Sequence, residues 1–290
     1  MYITIDIGGT NIRISSFTKL DPDSFIEKRQ FLSKEFEKYG YAINKFVENI
    51  KEMAGKEKLK GIGISMTGSM NPIKGNVIGS DSFPYWEGFN ICEDLKKELN
   101  CKVKIENDAV VAGLAERYFG YGKDYKSMGF VIVGTGVGAV RINKFENKDL
   151  IYPTEFGHII IVPDGEKCIC GQRGCLEAYA SGKGFMEMYG LKPEDLKDEE
   201  AWIVASRYFA QGLMNFLIFH PVEIFIFGGG LAANQDAFLT KLMKYSEQMI
   251  MKKFQFKVPK FKKSMFKDNT GSVGGLALLM DVEMVNMNFV

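Results

Sequence analysis

Hydrophobic positions follow two different periods along this chain. Near the start they alternate. Tyr2–Asp6 (YITID) and Asn11–Phe17 (NIRISSF) are period-two, β-branched runs, which is the pattern of strands. Gly8 and Gly9 lie between them, so the stretch reads as strand, glycine-rich turn, strand, a hairpin. The arrangement recurs in the second half. Phe130–Val133 (FVIV) leads into Gly134-Thr135-Gly136-Val137-Gly138, and Ala139–Asn143 (AVRIN) follows. A dinucleotide-binding fingerprint requires a helix after its glycines, and an alternating run follows here, so that reading fails. The two hairpins form an internal pseudo-repeat.

Elsewhere the period changes. Tyr41–Ala54 places Ile43, Phe46, Val47, Ile50 and Met53 on one helical stripe. Leu59–Met66 reads as a buried strand ending at Thr67-Gly68, and Ser80–Asn90 as a turn-rich loop. Lys102–Ile105 is a strand, and Glu106-Asn107-Asp108 opens the small-residue helix Ala109–Tyr118. Ala201–Phe219 is helical, Glu223–Phe227 (EIFIF) is a strand opening into Gly228-Gly229-Gly230, and Gly271–Met280 is a helix of small residues. Lys252–Lys267 mixes bases with aromatics. Because Phe254, Phe256 and Val258 alternate, a strand with a Lys-rich solvent face accounts for it more simply than a nucleic-acid surface.

Length makes this α/β pattern two lobes rather than one, since 290 residues is long for a single domain. A net charge of +1 gives no general attraction to nucleic acid or membrane. The most apolar run, Phe216–Leu231, is broken by His220, Pro221, Glu223 and three glycines, so it is not a membrane span. The start has no signal-peptide pattern, and the expected location is cytoplasmic.

Four places carry candidate chemistry. Glycine turns gather backbone N–H groups into a concavity suited to phosphate oxygens. Asp6 stands at the mouth of the first, where a carboxylate can hold Mg2+ through water. Asp108 follows a strand, where open α/β sheets bind ligands; it would also serve as a helix N-cap. An acid near a helix N-terminus is expected to keep a low pKa. The fourth place is Glu155–Gly182, where His158, Cys168, Cys170 and Cys175 offer an imidazole and three thiols within eighteen residues. That set suits a closed, structural Zn2+ site. The alternative is a disulfide plus a spare thiol, and an odd cysteine count without a secretion signal weighs against it. Glu155 and Glu177 flank the knuckle, and such carboxylates grip sugar hydroxyls.

The pattern E-x-G-H followed by C-x-C-G-x-x-G-C-x-E resembles the signature of the ROK family of sugar kinases and sugar-responsive repressors. The paired hairpins resemble those of the wider actin and sugar-kinase superfamily. The resemblance implies an α/β, two-lobed, ribonuclease-H-like (actin/hexokinase-type) fold with ATP between the lobes. Residues 1–118 with about 271–290 would form the first lobe, and 119–270 the second, carrying the zinc loop. It implies Mg-ATP on Asp6, Gly8, Gly9, Thr10 and Asn11, on Gly134, Thr135, Gly136 and Gly138, and on Gly228, Gly229 and Gly230 at the adenosine side. Gly68, Asn90, Asn107, Glu155, His158 and Glu177 would hold a hexose, with His158 using one ring nitrogen for zinc and the other for sugar. Asp108 would be the base that takes the proton of the 6-hydroxyl. A homodimer is also implied.

Repressors of this family carry a helix-turn-helix domain ahead of the kinase-like part. Here the first phosphate strand starts at residue 2, so a kinase is expected. One loop departs from the family pattern. P-G-x-V-D appears as Thr67-Gly68-Ser69-Met70-Asn71. Glucose is the first expectation for the sugar, with Phe83, Trp86 and Phe156 closing the space an acetyl group would need. N-acetylmannosamine is the second, with Thr67 and Asn71 supplying an amide partner.

Overall fold

Alternation near the start builds a hairpin, and a third, mostly exposed strand extends it to a meander. In the computed structural model, which describes residues 1–234, 236–249, 258–280 and 283–287, the chain opens with β1 (Tyr2–Ile7), β2 (Asn11–Phe17) and β3 (Phe25–Leu32). Then come α1 (Tyr39–Ala54), β4 (Gly61–Met66), β5 (Ser69–Asn71), β6 (Asn76–Gly79), α2 (Ile91–Leu99), β7 (Lys102–Asn107) and α3 (Asp108–Tyr118). Next are β8 (Ser127–Val133), β9 (Val137–Phe145), β10 (Lys148–Thr154), α4 (Leu176–Ala180), α5 (Gly182–Tyr189) and α6 (Glu199–Phe219). The described chain closes with β11 (Ile224–Gly228), α7 (Gly230–Asn234), α8 (Asp236–Met249), β12 (Lys260–Lys263), α9 (Thr270–Leu279) and β13 (Glu283–Asn286).

Two compact units result. One contains Met1–Phe119 and Asn269–Glu283; the other contains Gly120–Asp268, and residues 284–286 group with it. Those last residues therefore leave the lobe expected for about 271–290. The first unit holds a sheet ordered β3-β2-β1-β4-β7, with β1, β2 and β3 antiparallel and β4 and β7 parallel to β1. In the second, β10-β9-β8-β11-β12 repeats this order and these directions, and β13 adds to the β10 edge. The pseudo-repeat of glycine hairpins is thus a repeat of whole sheets.

Each sheet has its own core. In the first unit, Ile3, Ile5, Ile62 and Ile64 on the central strands pack with Ile43, Phe46 and Ile50 of α1. Phe83 and Trp86 also belong here, and the Trp86 indole N–H donates to the Phe36 and Glu37 carbonyls at 3.1 Å. In the second, Phe156 joins Phe209, Leu213 and Phe227. These three aromatics are core residues, 0–2 % exposed, so the expectation that they shape a sugar pocket is corrected. The strand expected through Phe254 and Phe256 lies outside the described residues, and β12 begins at Lys260. Among the described residues no helix is long and apolar enough to cross a membrane.

Candidate functional site

The first glycine turn joins β1 to β2 and is closed by the Gly8 N–H donating to the Asn11 carbonyl at 3.0 Å. Residues just after β3 brace it from outside. The Ser33 hydroxyl donates to the Gly8 carbonyl at 2.6 Å, and the Ser33 N–H to the Thr10 carbonyl at 3.0 Å. Gly9 and Thr10 stay exposed. Ser33 escaped the sequence reading, because a lone serine after a mostly exposed strand carries no local signal.

Asp6 is the last residue but one of the turn's entry strand. Its Oδ2 accepts from the Arg13 guanidinium Nη1 at 3.2 Å, across the β1–β2 pair. Gly271, in the first turn of α9, lies so close that a Cβ there would strike the Asp6 carboxylate. Burial pushes the Asp6 carboxyl above its usual range, and Arg13 opposes the shift.

Asp108 opens α3 at the carboxyl end of β7, one residue after the N-cap. The cap is Asn107, whose Oδ1 accepts from the Ala109 N–H at 2.9 Å. Its amide Nδ2 donates to the Gly68 carbonyl at 2.9 Å, which ties the helix start to the loop after β4. Gly68 has φ +109°, a conformation that side-chain-bearing residues rarely adopt. Asp108 Oδ1 accepts from the Ala109 N–H at 2.8 Å, yet its carboxyl is pushed up to about 6. Burial is the main cause, the Ala109 N–H opposes it, and the charge of Asp6 adds to it. The expectation of a low pKa at a helix start is therefore corrected: desolvation outweighs the helix terminus here.

Two loop residues have structural partners instead. Asn90 caps α2, accepting from the Glu93 N–H at 2.9 Å while its Nδ2 donates to the Lys74 carbonyl at 2.7 Å. Both ends of that amide are engaged, so the geometry gives no support to its expected sugar contact. The spacing of Asn90 and Glu93 was readable as a helix start. Asn71 Oδ1 accepts from the Ile73 and Lys74 N–H groups at 3.0 Å, an Asx turn closing the β5–β6 hairpin. That oxygen is not free for an acetamido group.

In the second unit, Gly134–Gly136 connects β8 to β9, with Thr135 exposed and Gly138 inside β9. Glu177, in the first turn of α4, reaches this turn and its Oε2 accepts from the Val137 N–H at 2.7 Å. The three glycines at the end of β11 divide. Gly228 lies against the Phe130 ring, Gly229 takes φ +88° close over Val133, and Gly230 at the start of α7 faces open space. Packing explains the first two.

The knuckle places Glu155 on the surface and His158 half-buried at the end of a short 3₁₀ turn. His158 Nδ1 is 3.5 Å from Cys168 Sγ, and Cys170 Sγ is 3.6 Å from Cys175 Sγ. The four ligand atoms all lie within 4.8 Å of one another. Tetrahedral zinc, with Zn–S of about 2.3 Å and Zn–N of about 2.0–2.1 Å, sets its ligands roughly 3.5–3.8 Å apart. The residues fit that ion. With Nδ1 turned to the thiols, Nε2 is the imidazole nitrogen left for another partner.

The sequence profile of the ROK family matches residues 2–282. The chain belongs to the ROK family. Among curated relatives, the glucokinase of Thermotoga maritima is 32 % identical over 189 residues, 62 % of this chain but only 56 % of that protein. This ROK chain thus spans little more than half of that relative. The N-acetyl-D-glucosamine kinase of Histophilus somni is 28 % identical across 97 % of this chain and 99 % of its own. A ROK hexokinase from Thermus thermophilus superposes with a TM-score of 0.79 at 21 % identity, covering 95 % of this chain and 96 % of its own. The fold is accordingly the two-lobed actin/hexokinase type of ROK hexokinases.

Proposed function

We propose that this ROK protein is an ATP-dependent sugar kinase that phosphorylates the 6-hydroxyl of a hexose. The observation that carries the reading is Asp108, a carboxylate at a strand's end whose pKa is brought to about 6 by burial and by Asp6. A general base works best with a pKa near the working pH. At pH 7 such a group is mostly ionised and accepts a proton more readily than an ordinary aspartate. Helix capping does not require this, because Asn107 already caps α3.

Phosphoryl transfer depends mainly on positioning and on neutralising charge. The two glycine turns, with Thr10 and Thr135 exposed on them, would hold the phosphates. Asp6 is a hard oxygen donor suited to Mg2+ through water, and that ion would supply neutralisation of phosphate charge. Asp108 takes the hydroxyl proton. Asn107 and Gly68 fix the neighbouring backbone, and Glu155 with His158 Nε2 would hold sugar hydroxyls. The cysteines and His158 Nδ1 would hold a structural zinc that fixes this loop.

Glucose is the first substrate proposed, supported by the likeness to the Thermotoga glucokinase. N-acetylglucosamine is the second reading, because its kinases match over nearly the full chain and the three aromatics lie in the cores. Assaying ATP-dependent phosphorylation of glucose, mannose, N-acetylglucosamine and N-acetylmannosamine tests it. No turnover on any of them, with intact zinc and nucleotide binding, would leave a sugar-sensing protein instead.

A further inference from the structure

We propose that Glu177 is a positioning residue for the second phosphate turn, acting on nucleotide as well as on sugar. This rests on the reading of Gly134–Gly138 as a phosphate turn. Three hydrogen bonds run from the Glu177–Lys183 segment to that turn. Glu177 Oε2 accepts from the Val137 N–H at 2.7 Å. The Gly182 N–H donates to the Gly134 carbonyl at 2.8 Å, and the Lys183 N–H to the Thr135 carbonyl at 3.0 Å.

These contacts sort the turn's polar groups. The carbonyls of Gly134 and Thr135 and the N–H of Val137 are satisfied from behind. Among the described residues, the N–H groups of Thr135 and Gly136 have no protein acceptor, so these are the donors left for a phosphate oxygen. Gly136 is coupled to the same contact, because a Cβ there would lie 2.6 Å from Glu177 Oε2 and push that carboxylate off the Val137 N–H. Two glycines of the turn and one glutamate of the knuckle are thus parts of one device. Cys175 stands two residues before Glu177, so the metal knuckle adjoins the segment that braces the nucleotide turn.

A carboxylate is a poor choice for this task alone, since its charge opposes a phosphate nearby. Glutamine would accept the same N–H. The charge is explained if the second oxygen, Oε1, serves the sugar, and this separates the two roles experimentally. Glu177→Gln keeps the acceptor and loses the charge, whereas Glu177→Ala loses both.

The test is calorimetric titration with Mg-ADP, and separately with sugar, of the full chain and of Glu177→Gln, Glu177→Ala and Gly136→Ala. Hydrogen–deuterium exchange of the peptide spanning residues 134–138 accompanies it. A lost hydrogen bond to a charged group corresponds to a Kd for Mg-ADP raised roughly tenfold in Glu177→Ala. Gly136→Ala should match it, and Glu177→Gln should stay within about twofold while losing sugar affinity. Exchange at the turn should quicken in Glu177→Ala and Gly136→Ala only. Unchanged Mg-ADP affinity and unchanged exchange in Glu177→Ala would overturn the proposal. Should Glu177→Ala not fold, Gly136→Ala decides by the same criteria. A wild-type chain that fails to bind Mg-ADP would count against the kinase reading, and the exchange arm would still decide the role of Glu177.

Discussion

Arg13 Nη1 lies 3.2 Å from Asp6 Oδ2, joining facing residues of the two strands that the first glycine turn connects. The pair is mostly enclosed, with side chains 23 % and 15 % exposed. Burial disfavours the Asp6 charge, and Arg13 offsets part of that effect. If Asp6 holds Mg2+ through water it must be ionised, and Arg13 would then favour the metal without touching it. Arg13→Met should raise the Asp6 pKa further. Affinity for Mg-ADP should then fall several-fold, and the loss should grow as pH is lowered. A loss independent of pH would mean that Arg13 acts by some route other than the Asp6 charge.

Asp108→Asn tests the base. The amide can still accept from the Ala109 N–H but takes no proton. Turnover should fall by roughly 10²–10⁴-fold with sugar affinity little changed. Stability should move the other way. A folded pKa of about 6 against 3.8 unfolded means that ionised Asp108 costs up to about 3 kcal/mol in the native state. The cost is absent below pH 3.8, grows as pH rises to about 6 and stays above it. Asp108→Asn should therefore raise the melting temperature at pH 8 and leave it unchanged near pH 3.5. A variant less stable at pH 8 would make Asp108 a structural residue.

The same value sets an acid limb on the rate. For the wild type, kcat/KM should rise with pH through about 6 and then level. Because Asp6 contributes to the shift, Asp6→Asn should move the limb toward lower pH in whatever residual activity remains. A limb unmoved by that change would remove Asp6 from the electrostatics of the base.

The hairpins, α1, α3 and the knuckle were legible because each rests on a short-range pattern: alternation around glycine, a helical stripe, or a metal-ligand spacing. β3 was not, since FIEKRQFL mixes charge with apolar residues on both faces and most of it remains exposed. α2 was hidden by reading Asn90 as a sugar ligand, though Asn90 and Glu93 have the spacing of a helix start. The raised pKa of Asp108 depends on burial by residues distant in sequence, which no local pattern encodes. Ser33 and Glu177 act by reaching turns 25 and 40 residues away, so their partners appear only in three dimensions.

Zinc is the next test. Protein desalted without chelator should carry about one zinc per chain, given one imidazole and three thiols whose ligand atoms all lie within 4.8 Å of one another. Zinc far below that, with reduced and intact thiols, would defeat the assignment. Cys170 is exposed at the knuckle's tip, while Glu177 is anchored to Val137. Cys170→Ser should accordingly lower sugar affinity more than Mg-ADP affinity.

Sugar selectivity is the last test, and the cores bear on it directly. Phe83 is 1 % exposed and packs with Trp86, ring centroids 4.7 Å apart, inside the first unit. A side chain there shapes the fold and has little means of contacting a sugar's 2-substituent. Phe83→Leu should lower stability by about 1–2 kcal/mol through lost packing. It should leave the ratio of kcat/KM for glucose to that for N-acetylglucosamine within about twofold of wild type. Glu155, exposed beside the knuckle, is the opposite case. If it accepts from a sugar hydroxyl, Glu155→Gln should change sugar KM strongly and the melting temperature little. Selectivity that followed Phe83 rather than Glu155 would return the aromatics to the sugar site and make burial a poor guide to it.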